Sequence, residues 1–565
     1  MTIATRRAVV LLIVVVSLVV ISLAFFTPFY QTNDDIAMRL LAEGNFVPGD
    51  EPVPFLMFIN IIIGKILATA YSLAPSLPWY DLFLGGSLVV ATATIVYCWL
   101  GSATPAQIGA AVLSAAFFLL PAFVSVQFSV PGMTCAAAGL ALLLDALLNS
   151  PPLSKSRQLR WTAGAALFVL GSLIRFEGAV LIAIQCALIS LPAIIAVWRD
   201  ETARPRLKGA ALAGVVAVVL AGSLFALNQF AYRANQGWKD FYEFNRMRSR
   251  LNEYITPERL RSEAAEQLVT QVGWSKADFL MFRNWFFTDR DLYSLAKVRK
   301  AESLFYSASN KPVSDRWEMR KARASDLAKN FLADTRWAFL LMAIYVLAFG
   351  ARPKMILHLL WVAIVLVLLI VGIGLTLKAP PQRISWPMVI TAATMLIVVT
   401  RRWQRPLHWS IPALAALAAV YAAVPAFRAL DAESHTRSAA AESARQDVVD
   451  MRRTGAKTYV LHGNAFPYED YWQPLHRGDV AFDFVGLGVS AQTPPVVEYL
   501  SRTKRTDLPW SLCSDPSMAM IARPYIRKML ENFVLEHHRT EVSLEPAFEG
   551  TRFTVWKCRP VSTGG

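Results

Sequence analysis

The chain has 565 residues, of which 55% are hydrophobic and only 17% are charged, and its mean hydropathy is +0.40. This composition excludes an ordinary soluble protein and indicates a polytopic membrane protein. The formal net charge of +15 is compatible with nucleic-acid binding, but many basic residues lie in short loops between apolar runs, as membrane orientation requires. We therefore expect an anionic lipid or phosphate ligand rather than nucleic acid.

The first apolar run, residues 8–26, follows Arg6 and Arg7 and is long enough to span a bilayer. Its length and the lack of a small-x-small cleavage site favour an uncleaved signal anchor over a cleaved signal peptide. The basic flank predicts a cytoplasmic N-terminus, so the chain first emerges on the outer side of the membrane. There it presents the stretch Thr32-Asn33-Asp34-Asp35.

Two adjacent carboxylates beside a bilayer, Asp34 and Asp35, have two candidate roles. Enzymes use such acids as general bases or metal ligands. Alternatively, Asn33 or Asp34 caps a short helix that runs to about residue 42, with Asp35 paired to Arg39 and Gly44 closing its end. Capping acids are commoner than catalytic acids, so this stretch alone does not decide between the roles.

Residues 55–73 form an apolar run that carries Asn60 and Lys65 and is flanked by prolines. If this run lies along the outer interface, the basic clusters at 155–160, 204–208, 352–354 and 401–405 all face the cytoplasm, as the positive-inside rule requires. If it spans the membrane, all of these clusters face outward. We therefore predict an interfacial helix here and eleven transmembrane helices: residues 8–26, 82–100, 106–123, 133–148, 161–174, 178–197, 209–231, 337–349, 355–377, 384–400 and 409–427.

Two charged segments, residues 232–336 and 428–565, contain no run long enough to span a bilayer. The predicted fold class is therefore a polytopic α-helical membrane protein with a small C-terminal extracytoplasmic α/β domain. The transmembrane module comprises residues 1–427, with outside loops at 27–80 and 232–336, and the soluble domain comprises residues 428–565. In that domain, strand-like runs alternate with helical stretches.

The same topology brings several polar residues at span ends to the side of the two acids: Gln127, Arg175, Glu177, Lys378 and Arg383. Each is compatible with an ordinary interfacial residue, and Arg175 can simply pair with Glu177. Ionisable residues at membrane depth are nevertheless functional candidates. Clustered on one side with two acids, they describe a candidate site in which Gln127 and Glu177 bind substrate.

Aromatic residues alternate with polar residues in the segment 232–336. Asn245, Trp274, Asp278 and Trp285 belong to this pattern. Sugar-binding sites place aromatic faces against C–H surfaces and polar groups against hydroxyls, so we count these residues as substrate-binding candidates. An amphipathic loop whose aromatics lie on the membrane interface gives the same pattern, and the sequence leaves both interpretations open.

Cys513 and Cys558 are the two cysteines of the C-terminal segment, and the outer compartment is oxidising. We therefore predict a disulfide between them. The other three cysteines lie in apolar runs, where a thiol usually packs. The histidines of the segment lack a zinc spacing, so no metal is assigned there.

This arrangement resembles the C-type fold of integral-membrane glycosyltransferases (GT-C). The similar features are the carboxylate motif Asn33-Asp34-Asp35 in the first outside loop, an interfacial helix in that loop, many spans and an outside C-terminal domain. The loop 378–383 resembles the basic outside loop with which such enzymes hold a lipid phosphate. The C-terminal domain carries no familiar motif.

The resemblance implies a hexosyl- or pentosyltransferase in the bacterial cytoplasmic membrane. It would move a sugar from a polyprenyl-phosphate donor to a cell-envelope glycan or lipid acceptor on the outer, periplasmic face. One of Asp34 and Asp35 would deprotonate the acceptor hydroxyl, and the other would bind the acceptor or a divalent metal ion. Arg383, helped by Lys378, would hold the donor phosphate, with Arg175 as the next candidate.

Two other functions fit parts of the sequence. A transporter or flippase for a lipid-linked saccharide would also need outside basic residues, but it should show internal repeats and charged or broken helices near mid-membrane. The sequence has no clear repeat and carries its acids and bases at span ends, which favours an enzyme. An oligosaccharide ligase with a polyprenyl-diphosphate donor is the alternative among enzymes.

Overall fold

A computed structural model describes residues 2–149, 155–254, 263–308, 313–376, 381–404, 410–476 and 482–561. It is predominantly helical. The first part of the chain contains α1 Ile3–Ala24, α2 Asn33–Glu43, α3 Ile61–Leu73, α4 Trp79–Leu100, α5 Pro105–Phe118, α6 Leu120–Val124, α7 Ser129–Asn149, α8 Lys155–Ile174, α9 Phe176–Arg199 and α10 Arg204–Ala234. The second part contains α11 Gln236–Ser249, α12 Glu263–Val272, α13 Lys276–Arg283, α14 Leu295–Ala308, α15 Val313–Ala348, α16 Pro353–Thr376, α17 Gln382–Thr400 and α18 Ser410–Met451.

The helical membrane fold is confirmed, although the number of spans differs from the predicted eleven. Among the described residues, nine helices are long and apolar enough to cross a membrane. Helix α15, bent by 59° between Ala333 and Thr335, makes a tenth if its two halves form one span. The predicted span 161–174 is not among these helices. It lies in α8, whose first two turns carry Lys155, Arg157 and Arg160 and are therefore less apolar.

Helix α3 contains most of the run that we predicted to be interfacial. It begins at Ile61, later than the predicted residue 55, because the side chain of Asn60 caps it by accepting the N–H of Ile62 at 3.0 Å. Its 13 residues rise only about 20 Å, too little to cross a hydrocarbon core of about 30 Å. Placement of α3 along the interface remains a prediction.

Small residues allow α7 and α8 to pack with their backbones in contact. A Cβ on Gly139 would lie 2.4 Å from the carbonyl oxygen of Gly164, and a Cβ on Gly171 would lie 2.5 Å from that of Gly132. Such close approach is a common mode of helix association in membranes. Since Arg175 directly follows α8, this contact sets where Arg175 lies.

The C-terminal domain is a small α/β unit, as predicted. Its strands are β3 Thr458–His462, β4 Asp483–Leu487, β5 Met518–Ile521, β6 Val542–Glu549 and β7 Thr554–Pro560, and its helices are α19 Tyr468–Tyr471, α20 Pro494–Arg502, α21 Leu508–Ser514 and α22 Ile526–His538. The strand order is β4-β3-β5-β7-β6, with β4, β3 and β5 parallel and β7 antiparallel to both β5 and β6. The buried central strands β3 and β5 form the core of the domain.

Helix α18 joins the two parts of the chain without a break. It has 42 residues and continues through Pro425, so the predicted boundary between 427 and 428 falls inside it. The sheet begins only at Thr458. Farther along, Cys513 in α21 forms a disulfide with Cys558 in β7, with Cα atoms 4.5 Å apart.

The close packing of α7 and α8 generates a stability prediction. We expect Gly171→Ala to lower the unfolding temperature in detergent, because the new methyl overlaps the Gly132 carbonyl oxygen; overpacking of this kind costs about 1–3 kcal/mol. The matched control is Gly214→Ala in α10, where an added Cβ meets no atom within 4 Å. Alanine is the better helix former, so the control should be unchanged or slightly stabilised. Equal unfolding temperatures for both variants would contradict this view of the α7–α8 contact.

Candidate active site

The two acids lie at the start of α2, which a short sheet holds in place. Strand β1, Phe29–Tyr30, pairs in parallel with β2, Ser125–Val126, and the N–H of Gln31 continues the pairing to the Val126 carbonyl at 2.9 Å. Thr32 is the N-cap residue, so Asn33 and Asp34 are helical residues of the first turn rather than caps. At the other end, Gly44 has a φ of +72° and closes the helix as predicted.

Asp35 is a buried anchor. Its Oδ1 accepts hydrogen bonds from the Tyr80 hydroxyl and the Phe128 N–H, both at 2.9 Å, and its Oδ2 accepts one from the Thr32 hydroxyl at 3.3 Å. The side chain is fully buried, and burial raises the pKa of Asp35 to about 8. Because its oxygens are already occupied, Asp35 ties α2 to α4 and to the segment after β2.

Asp34 has a different environment from its neighbour. It is partly buried, and within the described residues no hydrogen bond from the protein reaches its side chain. Burial raises the pKa of its carboxyl group, the positive charges of Arg383, Arg175 and Arg248 oppose that rise, and Glu253 adds to it. Asp34 is therefore the acid that remains open to a ligand, and it lies within the field of these arginines.

The arginines come from separate parts of the chain. Arg383 is the second residue of α17, and Arg175 immediately precedes α9. The guanidinium of Arg175 lies over the ring of Phe128 at 5.4 Å and forms an ion pair with Glu177 at 3.4 Å. The structure thus brings Arg175 and Arg383 to the same acid, as the sequence topology predicts. Lys378, the predicted helper, lies outside the described residues.

Arg248 in α11 is a site residue that the sequence reasoning missed. Its side chain is 2% exposed, bonds to Asn245 and Glu253, and lies 4.6 Å over the ring of Trp285, while its Nε has no partner among the described residues. Trp285 has a φ of +69°, and a π-helical turn, Arg250–Tyr254, follows α11 directly. Both irregularities are frequent at functional sites.

A sequence signal for Arg248 did exist. Trp238, Phe241 and Phe244 are buried at helical spacing, and Arg248 occupies the next position of the same face. A charged residue in an apolar stripe is unusual and is a reason to look for a partner. Through Arg248 the predicted candidates Asn245 and Trp285 are connected to Asp34.

The C-terminal domain also reaches α2. Glu469, in the short helix α19, lies near the backbone N–H of Asn33; burial raises the pKa of its carboxyl group, and the nearby N–H opposes that rise. No local pattern marks Glu469, because its neighbour in space is more than 400 positions away in the sequence. It supplies a carboxylate to the N-terminus of the helix that carries Asp34, where negative charge is favourable.

We expected Arg39 to pair with Asp35, but the structure shows other partners. It is 1% exposed and instead forms ion pairs with Glu43 at 2.8 Å and Asp81 at 3.5 Å. Its remaining donors bond to the carbonyl oxygens of Gln473 at 3.0 Å and His476 at 2.8 Å. Arg39 thereby fixes the C-terminal domain against α2.

The other predicted substrate residues separate into two groups. Gln127 is buried and immediately precedes Phe128, whose N–H bonds to Asp35; over the described ranges of the chain its Nε2 has no hydrogen-bond partner. Glu177 is exposed and pairs with Arg175. Trp274 and Asp278, in contrast, are buried and have structural partners. The indole N–H of Trp274 donates to the Leu292 carbonyl at 2.9 Å. The carboxylate of Asp278 completes the N-terminal cap of α13 and contacts His537. We correct the expectation for these two, because their polar atoms are used in packing.

A divalent metal does not fit the residues at this site. Among the described residues, no group of three or more His, Cys, Asp or Glu side chains can hold a metal ion. The charges that act on Asp34 are mostly those of arginines, which repel a cation. We therefore assign no step to a metal.

No protein-family model matches the chain, and no curated protein matches it. Similar solved structures exist. Apo ArnT from Cupriavidus metallidurans is 14% identical, with 98% of each chain covered and a TM-score of 0.40, and the same protein bound to undecaprenyl phosphate is 15% identical, with the same coverage and a TM-score of 0.38. The oligosaccharyltransferase AglB from Archaeoglobus fulgidus, in complex with an inhibitory peptide and a dolichol-phosphate, is 13% identical over 90% of this chain and 69% of its own, with a TM-score of 0.38.

The environment of Asp35 predicts an asymmetric response to substitution. Asp35→Ala should lower the unfolding temperature strongly, because it leaves the Tyr80 hydroxyl and the Phe128 N–H buried without an acceptor, at about 1–3 kcal/mol each. Asp35→Asn should be tolerated, since its Oδ1 can accept both bonds and its amide can donate to the Thr32 hydroxyl. Asp34→Ala serves as the control and should change stability little. A loss as large for Asp34→Ala as for Asp35→Ala would refute the assignment of Asp35 as the anchor.

Proposed function

We propose that this protein is a membrane glycosyltransferase that takes its sugar from a polyprenyl-phosphate donor. One observation carries the proposal: Asp34, a carboxylate without a protein hydrogen bond in the described part of the chain, lies in the field of Arg175, Arg248 and Arg383 at one end of the helical bundle. A base beside several guanidinium groups suits a reaction that removes a proton and releases a phosphate.

Asp34 acts as the general base. It takes the proton of an acceptor hydroxyl while the hydroxyl oxygen attacks the anomeric carbon of the donor sugar. The bond between that carbon and the phosphate oxygen breaks, and its electron pair leaves with the polyprenyl phosphate. Burial raises the pKa of Asp34, which makes the carboxylate a stronger base, whereas the arginines oppose that rise and favour the ionised form.

The arginines hold the donor phosphate. Guanidinium groups bind phosphate oxygens with paired hydrogen bonds, and their charge stabilises the phosphate as it gains negative charge. Arg383 and Arg175 are at the ends of apolar helices, so a phosphate bound between them leaves its polyprenyl chain beside the spans. Arg248 approaches from the segment between α10 and α15, and its buried Nε finds no hydrogen-bond partner within the part of the chain that the structure describes.

The roles of the two acids give a direct test. Asp34→Asn should keep the fold and lose sugar transfer by at least about 100-fold, because general-base catalysis contributes about 100- to 10,000-fold. Asp35→Asn should retain most of the transfer. The measurement is transfer of labelled sugar from a polyprenyl-phosphate sugar by purified protein mixed with a cell-envelope fraction as the source of acceptor. Normal transfer by Asp34→Asn would remove Asp34 as the base.

The donor site is tested by binding of polyprenyl phosphate alone. Arg383→Ala should weaken binding by about 10-fold or more, since a hydrogen bond to a charged group contributes about 1.5–3 kcal/mol. Arg199→Ala is the control, because Arg199 is an exposed residue at the opposite end of α9 from Arg175. Polyprenyl diphosphate is the comparison ligand, and a strong preference for it would favour an oligosaccharide ligase. Unchanged binding by Arg383→Ala would place the phosphate elsewhere.

A pH profile provides a second readout for Arg383. A general base works when ionised, so the transfer rate should rise with pH through the raised pKa of Asp34. Because the charge of Arg383 lowers that pKa, Arg383→Ala should shift the rising limb to higher pH at saturating donor. An unshifted limb would show that another group limits the rate.

A further inference from the structure

A cleft of about 380 Å³ lies where α18 meets the C-terminal domain. One wall is a face of α18 that includes Glu433, Thr436 and Arg437, and the opposite wall contributes Asp470 and Arg552. Small side chains, Ala432 and Ala440, line the space between the polar groups. The residues that act on Asp34 do not line this cleft, so it is separate from the candidate donor site.

The polar groups of the cleft are held in a fixed arrangement. Arg437 and Arg552 both bind the carboxylate of Asp470, Arg437 at 3.0 Å on one oxygen and Arg552 on the other. The Asp470 side chain is only 5% exposed, whereas those of Arg437 and Arg552 are 32% and 35% exposed. The buried acid therefore orients two guanidinium groups that keep part of their surface free for a ligand.

The charges of the cleft balance. Arg437 and Arg552 are matched by Asp470 and Glu433, so the lining has no net charge to select an anion. It offers fixed N–H donors, the Glu433 carboxylate as an acceptor, and methyl groups that can face C–H surfaces. Neutral saccharides present hydroxyls and C–H faces in this combination, so the lining is suited to a glycan.

The cleft also leads to the candidate base. The guanidinium of Arg437 lies 5.3 Å over the ring of Phe29, which belongs to the strand that precedes α2. The charge of Arg437 also acts on Glu469, the neighbour of Asp470, and Glu469 lies near the N–H of Asn33, the residue before Asp34. The N–H of Thr27, shortly before that strand, donates to the hydroxyl of Ser434 in α18 at 2.7 Å. The cleft is therefore connected to the first turn of α2 through Arg437 and Glu469.

We propose that this cleft binds the saccharide part of the acceptor, with Arg437 and Arg552 as hydroxyl-binding residues and Glu469 as the link to α2. The inference rests on the proposed glycosyltransferase function. It assigns donor and acceptor to different elements, the donor to α9, α11 and α17 and the acceptor to α18 and the C-terminal domain.

The experiment fills the cleft in the full-length protein. Thr436 and Ser438 are both exposed hydroxyl residues of α18, and at 100° per residue they face directions about 160° apart. Thr436→Trp places an indole in the cleft, and Ser438→Trp is the matched control on the other side of the helix. We expect Thr436→Trp to raise the KM for the acceptor in a cell-envelope fraction at least about 10-fold, and Ser438→Trp to leave it unchanged.

Binding of polyprenyl phosphate separates the two hypotheses. Both tryptophan variants should bind it as the wild type does, because the cleft is not part of the donor site. If Thr436→Trp has the wild-type KM for the acceptor and still binds the donor lipid, the cleft assignment is wrong, and the glycosyltransferase proposal is unaffected. If the wild-type protein neither binds polyprenyl phosphate nor transfers sugar, both proposals fail. Arg552→Gln, checked for an unchanged unfolding temperature, should raise the same KM without altering donor binding.

Discussion

The arrangement of the site depends on the burial of Asp35. A carboxyl group without access to water is stable only where fixed donors surround it. Tyr80 and Phe128 provide those donors, and they come from α4 and from the segment between β2 and α7. The start of α2 is therefore held by α4 and by the segment before α7, and the same contacts position Asp34, the residue before Asp35.

Arg39 extends the same constraint to the C-terminal domain. A fully buried guanidinium is costly unless each of its donors finds a partner, and here two of the partners are carbonyl oxygens of that domain. The domain is therefore part of the environment of α2. Through Arg39 and Glu469 the C-terminal domain can influence Asp34, the proposed base, although it contributes neither that residue nor the arginines proposed to bind phosphate.

The sequence predicts what depends on composition and periodicity. Apolar runs located the helices, charge asymmetry located Asp34, Arg175 and Arg383 on one side, and Gly44 marked the end of α2. It did not predict the partners of Arg39 or the position of Glu469, since those contacts join distant parts of the chain. Trp274 and Asp278 were misassigned because aromatic and polar residues alternate in packed loops as they do in sugar sites. The difference between Asp34, which is open to a ligand, and Asp35, which is hydrogen-bonded, also required the structure, since adjacent identical residues differ only in their surroundings.

Helix α18 connects the apolar part of the chain directly to the cleft. Because the helix is continuous from the apolar residues near Ala413 to Met451, the cleft-lining residue Thr436 is carried on a rigid extension, only about 13 Å of helix beyond Phe427. Helices tilt to match the thickness of the hydrocarbon layer. A change in lipid composition that alters the tilt of α18 would then move the cleft relative to α2, so we expect membrane thickness to affect how the proposed acceptor meets the proposed donor.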